Sequence, residues 1–354
     1  MLKSICQKYN LQMTPSKQWI TTTVLLPSLG CLMSATVFLL AAGFGTRLRP
    51  LTNHRPKPLL PLLGRPMVDF AVAHLYNHGH RQFVVNAHHL WEKVQEWAHT
   101  PPFDVDVDVQ IELPNILGTG GGLKAAEEDL AETFLIWNGD IFSDIDPAAL
   151  LNGCNGHTAC MALNHNDNLG KTTRLMFDNA GHVTRIGTLC QTEDAEELPT
   201  TKDGWHFSGI HAINRAGLKD VPDGFQCIVR SGYMKWVPER TVSALLHDGF
   251  WVDTGTPIEY WRANMAALRG EFSLPFDGWA ETNAVCKARG SWVHKSATIE
   301  GSVQDSIVGA GATVQTGTTL TECIVWDGVD VPKGTYTKCI FYDGGVLDLN
   351  TLDS

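Results

Sequence analysis

The sequence predicts an α/β protein: a mixed, mostly parallel sheet with helices on both faces, followed by a small C-terminal module of stacked β-coils. Three observations lead there. An unbroken apolar run, Val37-Phe38-Leu39-Leu40-Ala41-Ala42, ends abruptly in a glycine loop, the profile of a buried parallel strand that opens onto a ligand. After it, short apolar runs alternate with helical patterns, which implies right-handed crossovers between parallel strands. Beyond Gly270 the helical periodicity vanishes, and a short motif recurs at Ser306, Cys323 and Cys339, 17 and then 16 residues apart.

The first strand runs into Gly43-Phe44-Gly45-Thr46, where two glycines permit backbone geometry and close ligand approach denied to other residues. Arg47 and Arg49 follow, then Lys57 between Pro56 and Pro58. A strand, a glycine loop and fixed cations can grip phosphates through backbone N–H groups and side-chain charge. Alone, the loop reads equally as a tight turn between strand and helix.

A helical pattern starts at Arg65-Pro66-Met67, with Val68, Val72 and Leu75 on one face and Gly79 as its stop. Arg81 to Asn86 reads as a second strand, Leu90 to Ala98 as a helix, and the alternating Asp104 to Leu113 as a third strand. Leu117-Gly118-Thr119-Gly120-Gly121-Gly122 is a glycine-rich segment opening a helix from Leu123 to Leu130; four glycines would be costly flexibility in a plain connection, and a loose loop is the alternative. The run Phe134 to Trp137 ends in Asn138-Gly139-Asp140. A carboxylate just past the end of a central strand is well placed to hold Mg²⁺ over phosphates, although an isolated Asn-Gly-Asp also makes a turn.

From Thr158 to about Gln226 the elements shorten, with strands near Cys160–Leu163, Thr172–Phe177, His182–Ile186 and Trp205–Ile213. Phe207-Ser208-Gly209-Ile210 within the last of these reads either as pocket lining or as a strand with a glycine bulge. Phe250-Trp251-Val252-Asp253 ends another strand in a carboxylate, and Thr256, Pro257 and Glu259 then fit the N-cap, N1 and N3 positions of a helix to about Arg269. That capping box accounts for Thr256 and Pro257 and leaves Asp253 unexplained. Phe272 to Gly278 reads as a linker. In the tail, Ser306-Ile307-Val308, Cys323-Ile324-Val325 and Cys339-Ile340-Phe341 approach the 18-residue period of three hexapeptides in a triangular coil, with a small hairpin module as the alternative.

Composition bounds the function. A net charge of −11 over 354 residues leaves no excess of Lys and Arg to displace counterions from a nucleic-acid backbone, so nucleic acid is not expected as a partner. Nine dispersed cysteines with no C-x-x-C pair suggest neither zinc nor a redox dithiol, and fit free thiols in a reducing, cytoplasmic compartment. The uncharged stretch before Arg47 mimics a signal peptide, but it continues directly into the glycine loop and is interrupted by Pro27 and Gly30. The domain is therefore expected to start near Met33, with residues 1–34 a disordered extension or a start-codon artefact and no membrane partner. The resulting division is 1–34, a catalytic domain over 35–270, a linker over 271–290 and β-coils over 291–354.

The full string G-x-G-T-R-L-x-P-L-T followed by P-K-P-L-L-P, over residues 43–61, resembles the signature of the sugar-1-phosphate nucleotidyltransferases. The glycine-rich segment at 117–122, Asn138-Gly139-Asp140, and W-x-D-x-G-T-P from Trp251 resemble further motifs of that family, in the same order. The tail resembles the left-handed parallel β-helix appended to many of its members. The resemblance implies a Rossmann-like catalytic domain that joins a nucleoside triphosphate to a sugar 1-phosphate and releases pyrophosphate. It implies that Arg47 holds the β- and γ-phosphates, Lys57 bridges the α-phosphate and the sugar phosphate, and Asp140 and Asp253 hold Mg²⁺. The backbone of Leu40, Ala41, Ala42, Gly43, Gly45 and Thr46 and of Gly118, Thr119, Gly120 and Gly121 would hold the nucleotide. Asn138, Ser208, Gly209 and Thr254 would line the sugar side. The β-helix also implies a surface for a homo-oligomer. A Glu-Lys-Pro motif that many relatives carry between the two aspartates is absent; Lys171, Arg174 and Lys202 are its nearest substitutes. The glycine loop and the Phe-Ser-Gly-Ile segment resemble N-acetylmuramate-1-phosphate uridylyltransferases, whereas the tail resembles mannose-1-phosphate guanylyltransferases. Mannose 1-phosphate with GTP is the preferred pair. The alternatives are UTP with an N-acetylated sugar phosphate and a non-catalytic regulatory subunit.

Overall fold

The computed structural model describes residues 35–167, 173–201, 203–276, 284–286 and 290–352. Expectations for residues 1–34, for Lys171 and Lys202, and for much of the linker lie outside them. The first strand, β1 (Val37–Leu40), is central and parallel to both neighbours. The chain continues through α1 (Met67–Asn77), β2 (Gln82–Ala87), α2 (Trp91–His99), β3 (Asp106–Ile111), α3 (Gly118–Ala125) and β4 (Thr133–Asn138). The short β5 (Ile141–Ser143) and α4 (Pro147–Gly153) lead to β6 (Ala159–Asn166), β7 (Arg174–Phe177), β8 (Val183–Ile186), β9 (Cys190–Gln191) and β10 (Gly204–Asn214). After β11 (Val242–His247) and β12 (Trp251–Asp253), α5 (Pro257–Arg269) closes this part of the chain. The sheet runs β9-β8-β7-β10-β4-β1-β2-β3, and β6 pairs with both β10 and β11. Strands β4, β1, β2 and β3 are parallel, while β10 is antiparallel to β4, β6 and β7.

The expected two-sided burial is visible along β1. Val37 and Leu39 join one apolar cluster with Val68, Val72 and Leu75 of α1. Phe38 points into another with Leu123, Ile136 and Trp236. A strand covered on both faces must be continuously apolar, and this one is. The helix boundaries follow local chemistry: Thr256 Oγ1 accepts from the Glu259 N–H at 3.3 Å at the start of α5, and Gly270 ends it with φ of 71°.

The glycine-rich segment differs from expectation. The helix expected over Leu123 to Leu130 begins already at Gly118 and ends at Ala125, and a single 3₁₀ turn covers Glu127–Asp129. The reason is packing. Gly120 and Gly121 lie against the backbone of residues 224–228, and a Cβ on Gly121 would run into the Gly224 carbonyl oxygen. The Gly120 N–H donates to the Gln226 carbonyl at 2.8 Å.

The tail forms three faces of short parallel strands. Trp292–His294, Ile307–Val308, Ile324–Val325 and Cys339–Tyr342 make one face. Thr298–Ile299, Thr313–Val314 and Asp330–Val331 make a second, and Ser302–Gln304, Thr319–Thr321 and Thr335–Thr337 a third. Three stacked coils result, closed by the antiparallel strand Gly345–Asp348, as a left-handed β-helix would be. The parallel register, Ile307 to Ile324 to Ile340, sets aside the hairpin alternative. Asp305, Glu322 and Lys338 turn the same corner of successive coils with φ of 46°, 53° and 53°. Val308, Val314, Leu320, Val325 and Val331 fill the interior. A separate apolar cluster joins the two parts, from Leu48, Leu60, Leu62 and Tyr260 to Trp292, Ile307, Ile324 and Trp326.

Candidate active site

A cleft of about 330 Å³ opens beyond the carboxyl ends of β1 and β4, the position at which open α/β sheets bind ligands. Leu40, Ala41, Ala42, Gly43, Gly45, Thr46, Arg47, Lys57, Gly118, Thr119, Asn138 and Asp140, all singled out from sequence, line it. Gly45 has φ of 58°, and a Cβ there would meet Thr52 Cγ2 at 2.8 Å, so the loop needs glycine for conformation and for space. Thr52 Oγ1 donates to the Gly45 carbonyl at 2.8 Å and fixes the turn.

Lys57 sits on a single 3₁₀ turn, Lys57–Leu59, after Pro56. Its ammonium forms an ion pair with Asp140 and lies 3.5 Å from Asp253 Oδ1. The two aspartates, 113 residues apart in the chain (253 − 140), converge because β12 pairs with β5 in register Asp253 to Ile141. Burial is the largest influence on Asp253 and pushes its carboxyl above the usual carboxylate range. Lys57 opposes that shift, Asp140 and Glu259 add to it, and Arg47 opposes it. The Arg47 guanidinium rests on Gly255, where a Cβ would stand 2.9 Å from Nη1.

Convergence of Asp140 and Asp253 on one cation is the test of whether Mg²⁺ fits. Two hard carboxylates, Asp140 lining the cleft and Asp253 beside it, suit that ion, which retains waters and completes its shell with substrate phosphates. Among the described residues there is no group of three or more His, Cys, Asp or Glu side chains able to hold a metal by itself. The pair fits a shared protein–substrate site.

Other expected residues lie elsewhere. Gly120 and Gly121 are buried under residues 224–228 and do not line the cleft. Thr254 is wholly buried, and its hydroxyl donates to the Asp140 carbonyl at 3.1 Å, so it braces that aspartate from behind. Ser208 is buried too; its Oγ accepts from the Ile210 N–H at 3.2 Å within a β10 irregularity between Phe207 and His211. Gly209, with φ of 83°, packs on Asn138, where a Cβ would stand 2.8 Å from Nδ2. The bulge and the pocket edge are therefore one feature. Arg174 lies on β7, where a Cβ on Gly204 would meet its guanidinium, and does not line the cleft.

Sequence reasoning missed Asn86 and Glu112. Asn86 lines the cleft; its Oδ1 accepts from the Ala41 N–H at 2.8 Å and its Nδ2 donates to Glu112 Oε1 at 2.7 Å. Glu112 Oε2 accepts from the Leu117 N–H at 2.6 Å. This buried relay ties the glycine loop to the start of α3. Burial raises the Glu112 carboxyl pKa, and the hydrogen bonds from Leu117 and Asn86 pull it back. Two polar residues at the ends of adjacent strands β2 and β3 were the available signal.

The nucleotidyl transferase family matches residues 36–168. The chain is 28% identical over 258 residues to a UTP–glucose-1-phosphate uridylyltransferase of Synechocystis, covering 66% of this chain and 63% of that protein. It is 27% identical over 322 residues to a mannose-1-phosphate guanylyltransferase of Mycobacterium tuberculosis, covering 83% and 80%. HddC of Yersinia pseudotuberculosis shares the fold, with a TM-score of 0.54 and 22% identity over 65% of this chain and 98% of that one. The cleft, its cations and these likenesses agree: residues 36–168 match the nucleotidyl transferase family, and the chain is similar to sugar-1-phosphate nucleotidyltransferases.

Proposed function

We propose that the protein transfers a guanylyl group from GTP to mannose 1-phosphate. An oxygen of the sugar phosphate bonds to the α-phosphorus of the nucleotide, the bond from that phosphorus to the bridging oxygen breaks, and pyrophosphate leaves with the electron pair. In-line transfer of this kind needs positioning and charge neutralisation rather than a covalent intermediate. The observation that carries the reading is that Arg47, Lys57 and Asp140 line one glycine-rich cleft, with Asp253 beside it, 3.5 Å from the Lys57 ammonium.

Lys57 would hold the α-phosphate and the incoming phosphate, leaving the aspartates as it does so. Arg47 would hold the departing phosphates. Backbone of residues 40–46 would seat the nucleotide. Asp140 and Asp253 would hold Mg²⁺, which when bound supplies charge neutralisation at phosphate oxygens. Thr254 and the Asn86–Glu112 relay would keep these groups in place.

GTP and mannose 1-phosphate are favoured by extent of likeness. The match to the mannose-1-phosphate guanylyltransferase covers 83% of the chain, against 66% for the uridylyltransferase. A second reading, UTP with an N-acetylated sugar 1-phosphate, is favoured by the missing Glu-Lys-Pro motif. A regulatory subunit would be expected to lose one of the four charged residues, and all four are present. The test is pyrophosphate release by the purified chain with Mg²⁺, with four NTPs crossed against a set of sugar 1-phosphates. GTP with mannose 1-phosphate should turn over fastest; faster turnover with UTP would favour the second reading. Silence across the panel would overturn both.

A further inference from the structure

Lys57 is carried on a segment whose two ends rest on the β-helix. Two residues before it, Arg55 Nη2 donates to Asp343 Oδ2 at 3.2 Å, and its guanidinium stands 4.7 Å from the centre of the Trp326 ring. Four residues after it, the Pro61 carbonyl accepts from the Tyr260 hydroxyl, which in turn accepts from Trp326 Nε1 at 3.1 Å. Trp326 and Tyr260 are 1% and 0% exposed. One indole of the third coil therefore meets Arg55 on one flank of the Lys57 turn and reaches Pro61 on the other through Tyr260 of α5.

From the opposite side the turn is held against the cleft floor: a Cβ on Gly139, the neighbour of Asp140, would stand 3.2 Å from Pro58 Cβ. The helix that follows Asp253 is seated on the same β-helix. Trp261 Nε1 donates to the Glu322 carbonyl at 2.7 Å, and Arg269 Nη2 to Glu322 Oε1 at 3.0 Å.

Adhesion alone does not call for these polar contacts, because a continuous apolar cluster already joins the two parts. A half-exposed ion pair adds little stability. Its geometric effect is larger: a planar guanidinium stacked on an indole and tied to a carboxylate has one orientation. With Pro56 between them, that orientation passes to Lys57 with little backbone freedom.

We propose that Arg55, Trp326 and Asp343 are positioning residues for Lys57, so that the β-helix sets where its ammonium stands relative to Asp140 and Asp253. This rests on the role assigned to Lys57 above. A partner or second copy that shifted the β-helix would then change turnover from outside the cleft.

Two readouts on the full-length protein test it, using Arg55→Ala, Arg55→Lys and Asp343→Asn. The first needs no substrate: amine-reactive labelling of Lys57, followed by mass spectrometry, against Lys93 on α2 as reference. Arg55→Ala and Asp343→Asn should change the Lys57 rate about threefold or more, Arg55→Lys less, since Lys restores charge without the planar fork. The second is steady-state turnover, where kcat should fall about tenfold with KM for the nucleotide nearly unchanged, the pattern of a lost transition-state contact. Asp343→Asn keeps the shape of the hairpin and guards against a folding defect in the Arg55 variants. Lys57 labelling and kcat both within about twofold of wild type in Arg55→Ala and Asp343→Asn would overturn the proposal. A wild-type protein that releases no pyrophosphate rejects the transfer reading instead, and the labelling comparison then decides the clamp alone.

Discussion

Lys57 and Arg47 reach their places by different means, and their variants should behave differently. The Lys57 ammonium is locked between two carboxylates, so Lys57→Ala removes the cation and also leaves Asp140 and Asp253 repelling one another. Its kcat is expected to drop by about 10²–10³-fold, the scale of removing one preorganised charge-stabilising group, and a steady-state assay beside a melting curve separates that loss from misfolding. Arg47 forms no ion pair among the described residues and leans on Gly255. Gly255→Ala would push the flexible guanidinium aside without touching a backbone atom. Turnover should fall about tenfold at nearly unchanged stability, since small misplacements are costly in positioning catalysis. Unchanged kcat would mean that Arg47 is not used where it stands.

At the scale of elements, helix α3 and helix α5 differ in how their starts are written. The sequence marks the start of α5 by a Thr-Pro-x-Glu box, whereas the four glycines at the start of α3 read as a segment ahead of a helix at Leu123. In α5 the box does what its pattern says, and Thr256→Ala should cost about 1 kcal/mol, read as a shift of the denaturation midpoint. In α3 the glycines are packing residues: the missing Cβ atoms of Gly118, Gly120 and Gly121 make room for residues 224–228, and that of Gly122 for Glu112 and Asn86. Gly121→Ala should therefore destabilise by about 1–3 kcal/mol through overpacking against backbone that cannot turn away. A neutral or stabilising result, as helix propensity alone would give, would contradict the close packing. Sequence periodicity could not distinguish a glycine that admits a ligand from one that admits another segment of the same chain, because both leave the same residue.

Part of the acid sensitivity of the whole molecule lies in its buried histidines. His211 is fully buried on β10 with Nδ1 2.6 Å from the Tyr233 hydroxyl, and burial holds its pKa at about 3. Burial lowers His74, His80 and His206 as well. His211 is neutral in the folded protein and gains a proton on unfolding below its ordinary value near 6.5. At this site the unfolded state therefore binds more protons between about pH 6.5 and 3, and its stability contribution is full above that window and falls as the pH drops through it; the other three act in the same direction. For His211 the loss approaches about 1.4 kcal/mol per pH unit. Urea denaturation at pH 7 and pH 5 should show a smaller acid loss in His211→Asn than in the wild type; equal losses would exclude this origin.

Much of the architecture was legible because it is written in local chemistry. The run Val37–Ala42 must be buried on both sides, Thr256 and Pro257 cap a helix wherever it lies, and the 17- and 16-residue spacings stack Ile307, Ile324 and Ile340 in register. Arg47, Lys57, Asp140 and Asp253 were legible through the family resemblance of residues 43–61, Asn138–Asp140 and the segment from Trp251. Tertiary structure decided what depends on residues far apart in the chain. It alone buries Ser208 and Thr254 as braces, joins Asn86 to Glu112, and turns the glycines of α3 inward. It also brings Trp326 and Asp343 of the β-helix against Arg55, 288 residues from Asp343. Contacts of that range arise from how three-dimensional surfaces meet, and no pattern of period two, three or seventeen encodes them.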